Sequence, residues 1–232
     1  MNCGFRPRPF ALMFLAAGTA ALLALGFANP ANADVILAQT DFGTTMGTDV
    51  SPFSTDYVPF ASSGTSTPGH YGVSPTAAGH GWSSAGDWGG VDHTTGTDCF
   101  MIADGAQNSN LEIVSFTATT EAGAEYTFDG WVQNIFAGGG GPPVLSFRVN
   151  GEEKDTFTFT GARTWKEFTF NYTATTSNLI TFSIHDNNTS FDFNDFGLDD
   201  LKLSCNIPEP ASLLLIGCGG AFVMLRRKAR RA

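Results

Sequence analysis

Between residues 110 and 203 apolar and polar side chains alternate with a period of two, in short runs closed by Gly, Asn or Thr turns. Residues 110–119 set Leu111, Ile113 and Ser115 on one side and Val114, Phe116 and Ala118 on the other. Residues 125–136 set Tyr126, Phe128, Val132 and Phe136 against Asp129, Trp131 and Gln133. Runs at 144–149, 155–160, 164–173 and 179–185 follow, with Phe157 and Phe159, then Phe168, Phe170 and Tyr172, then Ile180, Phe182 and Ile184 in strict alternation. A helix could not bury such a set on one side, whereas a strand must. An apolar run at 35–42 predicts an opening strand. Residues 43–96, rich in Ser, Thr, Gly, Pro and Asp, read as long loops. No amphipathic helix is predicted between residues 34 and 207, so the pattern predicts an all-β domain of two antiparallel sheets packed face to face.

Both ends break this pattern. Arg6 and Arg8 precede an apolar stretch from Phe10 to Phe27, and Ala31-Asn32-Ala33 places small residues where a signal peptidase reads them. A signal helix over residues 1–33, cleaved before Asp34, is the expectation. At the other end an apolar run covers residues 211–225, and a basic tail at 226–232 carries Arg226, Arg227, Lys228, Arg230 and Arg231. Fifteen helical residues rise about 22 Å, short of a hydrocarbon core of roughly 30 Å, which suits a temporary hold in the membrane. Positive charge stays on the cytoplasmic side, so residues 34–206 are expected outside the cytoplasm.

Pro208-Glu209-Pro210, the short Leu- and Gly-rich helix after it and the cluster opened by Arg226 and Arg227 resemble the PEP-CTERM sorting signal, over residues 207–232. That resemblance implies an exosortase as partner, a cysteine transpeptidase-like membrane enzyme of exopolysaccharide-producing Gram-negative bacteria. It also implies an inner-membrane hold before processing near the tripeptide, and then deposition in the cell envelope or extracellular matrix.

Charge narrows the partners further. Residues 34–207 hold five basic residues, Arg148, Lys154, Arg163, Lys166 and Lys202, against 21 acidic ones, a net charge of −16. Such a surface repels nucleic acid and anionic lipid and favours neutral partners and divalent cations. Cys3 leaves with the signal and Cys218 lies in the apolar tail, so Cys99 and Cys205 remain, and in an oxidising compartment they are expected to form one disulfide. The four His lack zinc-ligand spacing.

Thr40-Asp41-Phe42-Gly43, the run from Tyr126 to Val132, the run from Thr164 to Phe170 and the closing strand from Phe196 to Leu203 resemble galactose-binding-like jelly-roll carbohydrate-binding modules. The alternation puts Asp199 on one face with Leu201 and Leu203, so its carboxylate is expected to point inward, where it needs a partner. The resemblance implies a structural calcium ion between the first and last strands, held by Asp199, backbone carbonyls and Asp41. Sugars stack on aromatic faces ringed by amides and carboxylates, which makes Trp131 with Gln133, and Trp82 with Trp88, the candidate glycan contacts. No Gly-x-Ser-x-Gly, His-Glu-x-x-His or phosphate loop occurs, and a non-catalytic protein is expected. Two readings stay open: an exported protein that binds exopolysaccharide, and a structural or adhesive matrix protein with no defined glycan.

Overall fold

Eleven strands make two sheets in the computed structural model, which describes residues 32–60, 67–77, 89–136, 141–190 and 194–208. The strands are β1 (Asn32–Thr40), β2 (Val58–Pro59), β3 (His70–Ser74), β4 (Phe100–Asp104), β5 (Glu112–Thr119), β6 (Glu125–Asn134), β7 (Val144–Val149), β8 (Glu152–Thr158), β9 (Lys166–Thr173), β10 (Leu179–Asp186) and β11 (Phe196–Pro208). The larger sheet runs β2-β3-β4-β11-β6-β9, with β1 also paired to β11, and the smaller runs β5-β10-β7-β8. β2 pairs with β3 in parallel, whereas β3–β4, β4–β11, β11–β6, β6–β9, β5–β10, β10–β7 and β7–β8 are antiparallel. Residues 33–207 form one compact unit. The second, residues 1–32 and 208–232, lies almost wholly outside the described residues, and with it the expected signal helix, the apolar helix at 211–225, Glu209, Pro210, Arg226 and Arg227. Among the described residues no helix is long and apolar enough to cross a membrane.

The core between the sheets is built from the alternating phenylalanines. Phe147 stacks on Phe170 at 5.3 Å, Tyr126 on Phe182 at 5.2 Å, and Phe53, from the loop before β2, on Phe128 at 5.6 Å. Offset ring pairs of this kind add about 0.5–1.5 kcal/mol each beyond the area they bury. Gly130 marks a close approach within this core. A Cβ there would lie 2.7 Å from Leu201 Cδ2 and 2.9 Å from Phe168 Cζ.

Three expectations are corrected. The segment 43–96 is not all loop, for it contains β2 and β3. The expected disulfide is absent, and Cys99 and Cys205 are separate buried thiols. The β4–β11 register pairs Met101 with Leu198, which carries Cys99 to the level of residue 200. Cys205 lies five residues further along, about 16 Å away at 3.3 Å per residue, and a disulfide spans less than about 7 Å between Cα atoms. Finally, Asp199 does not share a face with Leu201 and Leu203. A bulge between Asp199 and Lys202, with Asp200 at φ 49°, shifts the phase of β11. Phe196 and Leu198 face the core before it and Leu201, Leu203 and Cys205 after it, leaving Asp199 on the outer face beside Trp131.

Candidate glycan-binding face

The outer face of the larger sheet carries two kinds of side chain. Around β4 it holds a second, smaller apolar cluster: buried Ala77, Phe100, Ile102 and Ile135, with Phe60, Phe136 and Trp165 half-buried against them. Phe136 therefore sits here and not on the core face with Val132, because β6 ends at Asn134. Along β11, β6 and β9 the outer face is polar. The register aligns Asp199, Trp131 and Glu167 in one row, Lys202, Asp129 and Thr169 in the next, and Ser204, Thr127 and Asn171 in a third. Rows on one face of a sheet are about 7 Å apart and neighbouring strands about 4.8 Å.

Residues 89–98 lie across the first row. Gly89 N donates to Ile135 O at 2.9 Å, and Val91 O accepts from Trp165 Nε1 at 3.0 Å and Gln133 Nε2 at 3.4 Å. The His93 ring stacks on Trp131 at 3.9 Å between centroids, and Trp165 meets that ring edge-on at 5.8 Å. Gly90, at φ 141°, lies so close that a Cβ would be 2.8 Å from the Gln133 amide. Gln133 is consequently 1% exposed, which corrects its expected role as a sugar contact: its amide is spent on the segment that covers it. Trp131 does lie on the outer face and is half-buried. Trp82 and Trp88 lie outside the described residues.

Two buried carboxyl groups anchor this covering segment. Asp199, 0% exposed, accepts His93 N on Oδ2 at 2.9 Å and Asp200 N on Oδ1 at 2.8 Å. Asp92, 3% exposed, accepts Thr95 N, Thr95 Oγ1 and Gly96 N on Oδ2 at 2.6, 2.9 and 2.9 Å. Its Oδ1 has no hydrogen-bond partner, and the two neighbouring carboxyl groups act on each other's acidity, Asp199 lowering Asp92 and Asp92 raising Asp199. Burial, then Asp92 and the charge of Asp200, push Asp199 up to about 8, against the two backbone donors. For Asp92 burial acts upward too, but Asp199 and the bonds from Thr95 and Gly96 outweigh it and hold the group below the usual carboxylate range. The opposed shifts keep Asp199 protonated and Asp92 ionised near neutral pH. Outside it, His93 Nδ1 meets Asp200 Oδ2 at 2.7 Å, and Thr94 Oγ1 reaches both Asp200 oxygens.

The two carboxylates expected to hold calcium are each engaged by backbone N–H groups. Asp41 is exposed and its Oδ1 accepts Gly43 N at 3.0 Å, while Asp199 is sealed under residues 92–93 with a backbone donor on each oxygen. Among the described residues no group of three or more His, Cys, Asp or Glu is placed to hold a metal ion.

The second and third rows are open. Asp129 pairs with Lys202 at 3.3 Å and Thr127 Oγ1 donates to Asn171 at 2.9 Å. Burial raises the Asp129 pKa, Lys202 opposes, and the charges of Glu167 and Asp34 add to the rise. Thr169, Asn171 and Glu167 are exposed. The other strongly shifted groups lie elsewhere and are enclosed. Burial and then Arg148 push His185 down to about 4, and burial pushes Asp186 up to about 7. Both are under 4% exposed.

None of the curated proteins matches the chain. Among solved structures, the Stig cyclase Fisc from Fischerella sp. TAU is 12% identical over 76% of this chain and 100% of its own, with a TM-score of 0.52. The CBM22-1 xylan-binding domain of Paenibacillus barcinonensis Xyn10C is 16% identical over 75% and 97%, with a TM-score of 0.43. The C-terminal domain of EclA, a sugar-binding protein, is 24% identical over 41% and 69%, with a TM-score of 0.36. The likeness to the cyclase shows a shared fold and nothing of its chemistry. Residues 206–228 match the PEP-CTERM protein-sorting motif, which marks an exported protein held transiently in the membrane of a Gram-negative bacterium and processed by an exosortase. The chain thus carries a PEP-CTERM sorting motif behind an all-β sandwich.

Proposed function

We propose that the exported sandwich is a non-catalytic envelope or matrix protein that holds an exopolysaccharide chain across the outer face of its larger sheet. The observation that carries this reading is the adjacency, on one face, of half-buried Trp131 and Trp165 with the rows of Asp129, Lys202, Thr169, Thr127 and Asn171. Indole rings cover the apolar side of a pyranose, and carboxylate, ammonium, amide and hydroxyl groups bond its hydroxyls. With a net charge of −16 on residues 34–207, the polymer is neutral or cationic and not rich in uronate. The absence of catalysis is supported by the placement of Asp199, Asp186 and His185, whose shifted acidities are enclosed where no substrate reaches them.

Affinity electrophoresis of the mature protein through gels containing neutral, amino-bearing and uronate-rich polysaccharides tests the reading. Retardation by one of the first two is expected, weakened at least tenfold in Trp131→Ala. Retention of the protein in the biofilm matrix with no saturable binding to any polymer would instead establish the structural, adhesive role.

A further inference from the structure

The sorting motif begins inside the folded sheet. It covers residues 206–228, and β11 runs to Pro208, so Asn206, Ile207 and Pro208 belong to both. Asn206 is the last residue of β11 in register with β6, opposite Glu125, and Cys205 before it faces Tyr126. The strand also pairs with β1, whose Asp34 lies close enough to Cys205 for its charge to help raise the thiol pKa, after burial and with Glu121. Burial changes abruptly at this point. Cys205 is 1% exposed, whereas Asn206 is half-buried and its enclosed Oδ1 has no partner. Peeling the strand back past Cys205 therefore uncovers a core side chain. Pro208 lacks an N–H and cannot extend the ladder.

A processing enzyme binds its substrate extended, taking the main-chain N–H and C=O groups into its own cleft. One peptide bond is broken: its acyl carbon passes to the enzyme's nucleophile and then to water or an acceptor amine, and the released segment leaves with a proton on its new amine. Main-chain groups already bonded within a sheet cannot serve both partners. We propose that the sandwich gates its own sorting, the end of β11 having to come away from β6 and β1 before the exosortase can act. The strength of strand pairing at Asn206 then sets the processing rate. The gate rests on the sorting motif and is independent of glycan binding.

The test uses the full chain in a Gram-negative host with its exosortase, following the processed fraction by pulse-chase and intact mass. A six-residue Gly-Ser insertion between Asn206 and Ile207 frees the motif from the sheet, and processing at least threefold faster is expected. The pair Glu125→Cys and Asn206→Cys, in a Cys205→Ala background, locks the strand end. Residues opposite each other on antiparallel strands have Cα atoms about 4.5–5.5 Å apart, within disulfide reach. At least tenfold slower processing is expected, returning to the wild-type rate with dithiothreitol. Rates within twofold of wild type for both variants would overturn the gate, and the insertion alone decides if the locked variant melts below the host temperature. A wild-type chain that is never trimmed would overturn the sorting reading and the gate with it.

Discussion

Replacing Asp92 with Asn should stabilise the protein at neutral and alkaline pH, although it removes a buried group that makes three hydrogen bonds. Asp92 Oδ2 takes all three of those bonds, from Thr95 and Gly96, and an amide oxygen can keep them. The oxygen that becomes an NH2 is Oδ1, the one without a partner, on a side chain coupled to Asp199. In the wild type that coupling needs a proton. Asp199 holds one up to about 8, while in the unfolded chain the group ionises near 3.8. The contribution of Asp199 to stability is therefore complete below about pH 4 and lost as the pH climbs through about 8. At pH 7, three pH units above the unfolded value, taking up the proton costs about 4 kcal/mol. The amide supplies the hydrogen without that cost. Weakening three charge-assisted bonds to neutral ones returns about 2 kcal/mol of the gain. A net gain of about 2 kcal/mol raises Tm by about 4–8 °C for a domain of this size. Thermal melts of the mature protein from pH 4 to pH 9 should show the gain at pH 7–8, its disappearance near pH 4 and a flatter profile between. A variant that melts lower at pH 7 and 8 with an unchanged slope would refute the protonated Asp199. So would a calcium-dependent rise in the wild-type Tm that Asp92→Asn abolishes, since a cation would then occupy the place assigned to the proton.

Two further outcomes follow from the core. The denatured mature protein should titrate two free thiols, Cys99 and Cys205, and dithiothreitol should leave Tm unchanged; an intact mass lower by the two hydrogens of a disulfide would contradict the separation of the strands. Gly130→Ala should destabilise by about 1–3 kcal/mol, because its methyl would meet Leu201 and Phe168 inside closest contact, and an unchanged urea midpoint at equal m would show that the two side chains give way freely.

The strands that alternate apolar with polar side chains were legible in the sequence, and those without that alternation were not. β7 begins and ends where its alternation does, and β6, β9 and β10 match theirs to within about two residues at either end. β4 was missed for a physical reason. Met101 and Ala103 face the main core while Phe100 and Ile102 face the smaller cluster, so every position is apolar or enclosed and no period shows. His70–Ser74 was hidden similarly, four of its five residues being buried within a Gly- and Ser-rich stretch that otherwise reads as loop. Of the site, Trp131 was placed on the correct face by counting in twos from Phe128. Gln133 passes the same count, yet nothing in its own strand could announce a covering segment more than forty residues earlier in the chain. The nearest signal was Gly89-Gly90 beside Asp92, where the backbone must approach closely.

The bulge in β11 shows how much one extra residue can redirect. Without it, counting in twos from Leu203 would bring Asp199 between the sheets, where an unpaired carboxylate costs several kcal/mol and would require a cation or a buried base. Asp200 at φ 49° takes up the extra residue, and the same carboxylate emerges on the outer face, where backbone N–H groups of His93 and Asp200 and the carboxyl of Asp92 meet it. The apolar phase survives on both sides, Phe196 and Leu198 before the bulge and Leu201 and Leu203 after it. What would have been a fault in the core thus becomes the fastening point of residues 89–98. That fastening brings His93 onto Trp131, and so fixes the edge of the face on which a glycan would be held.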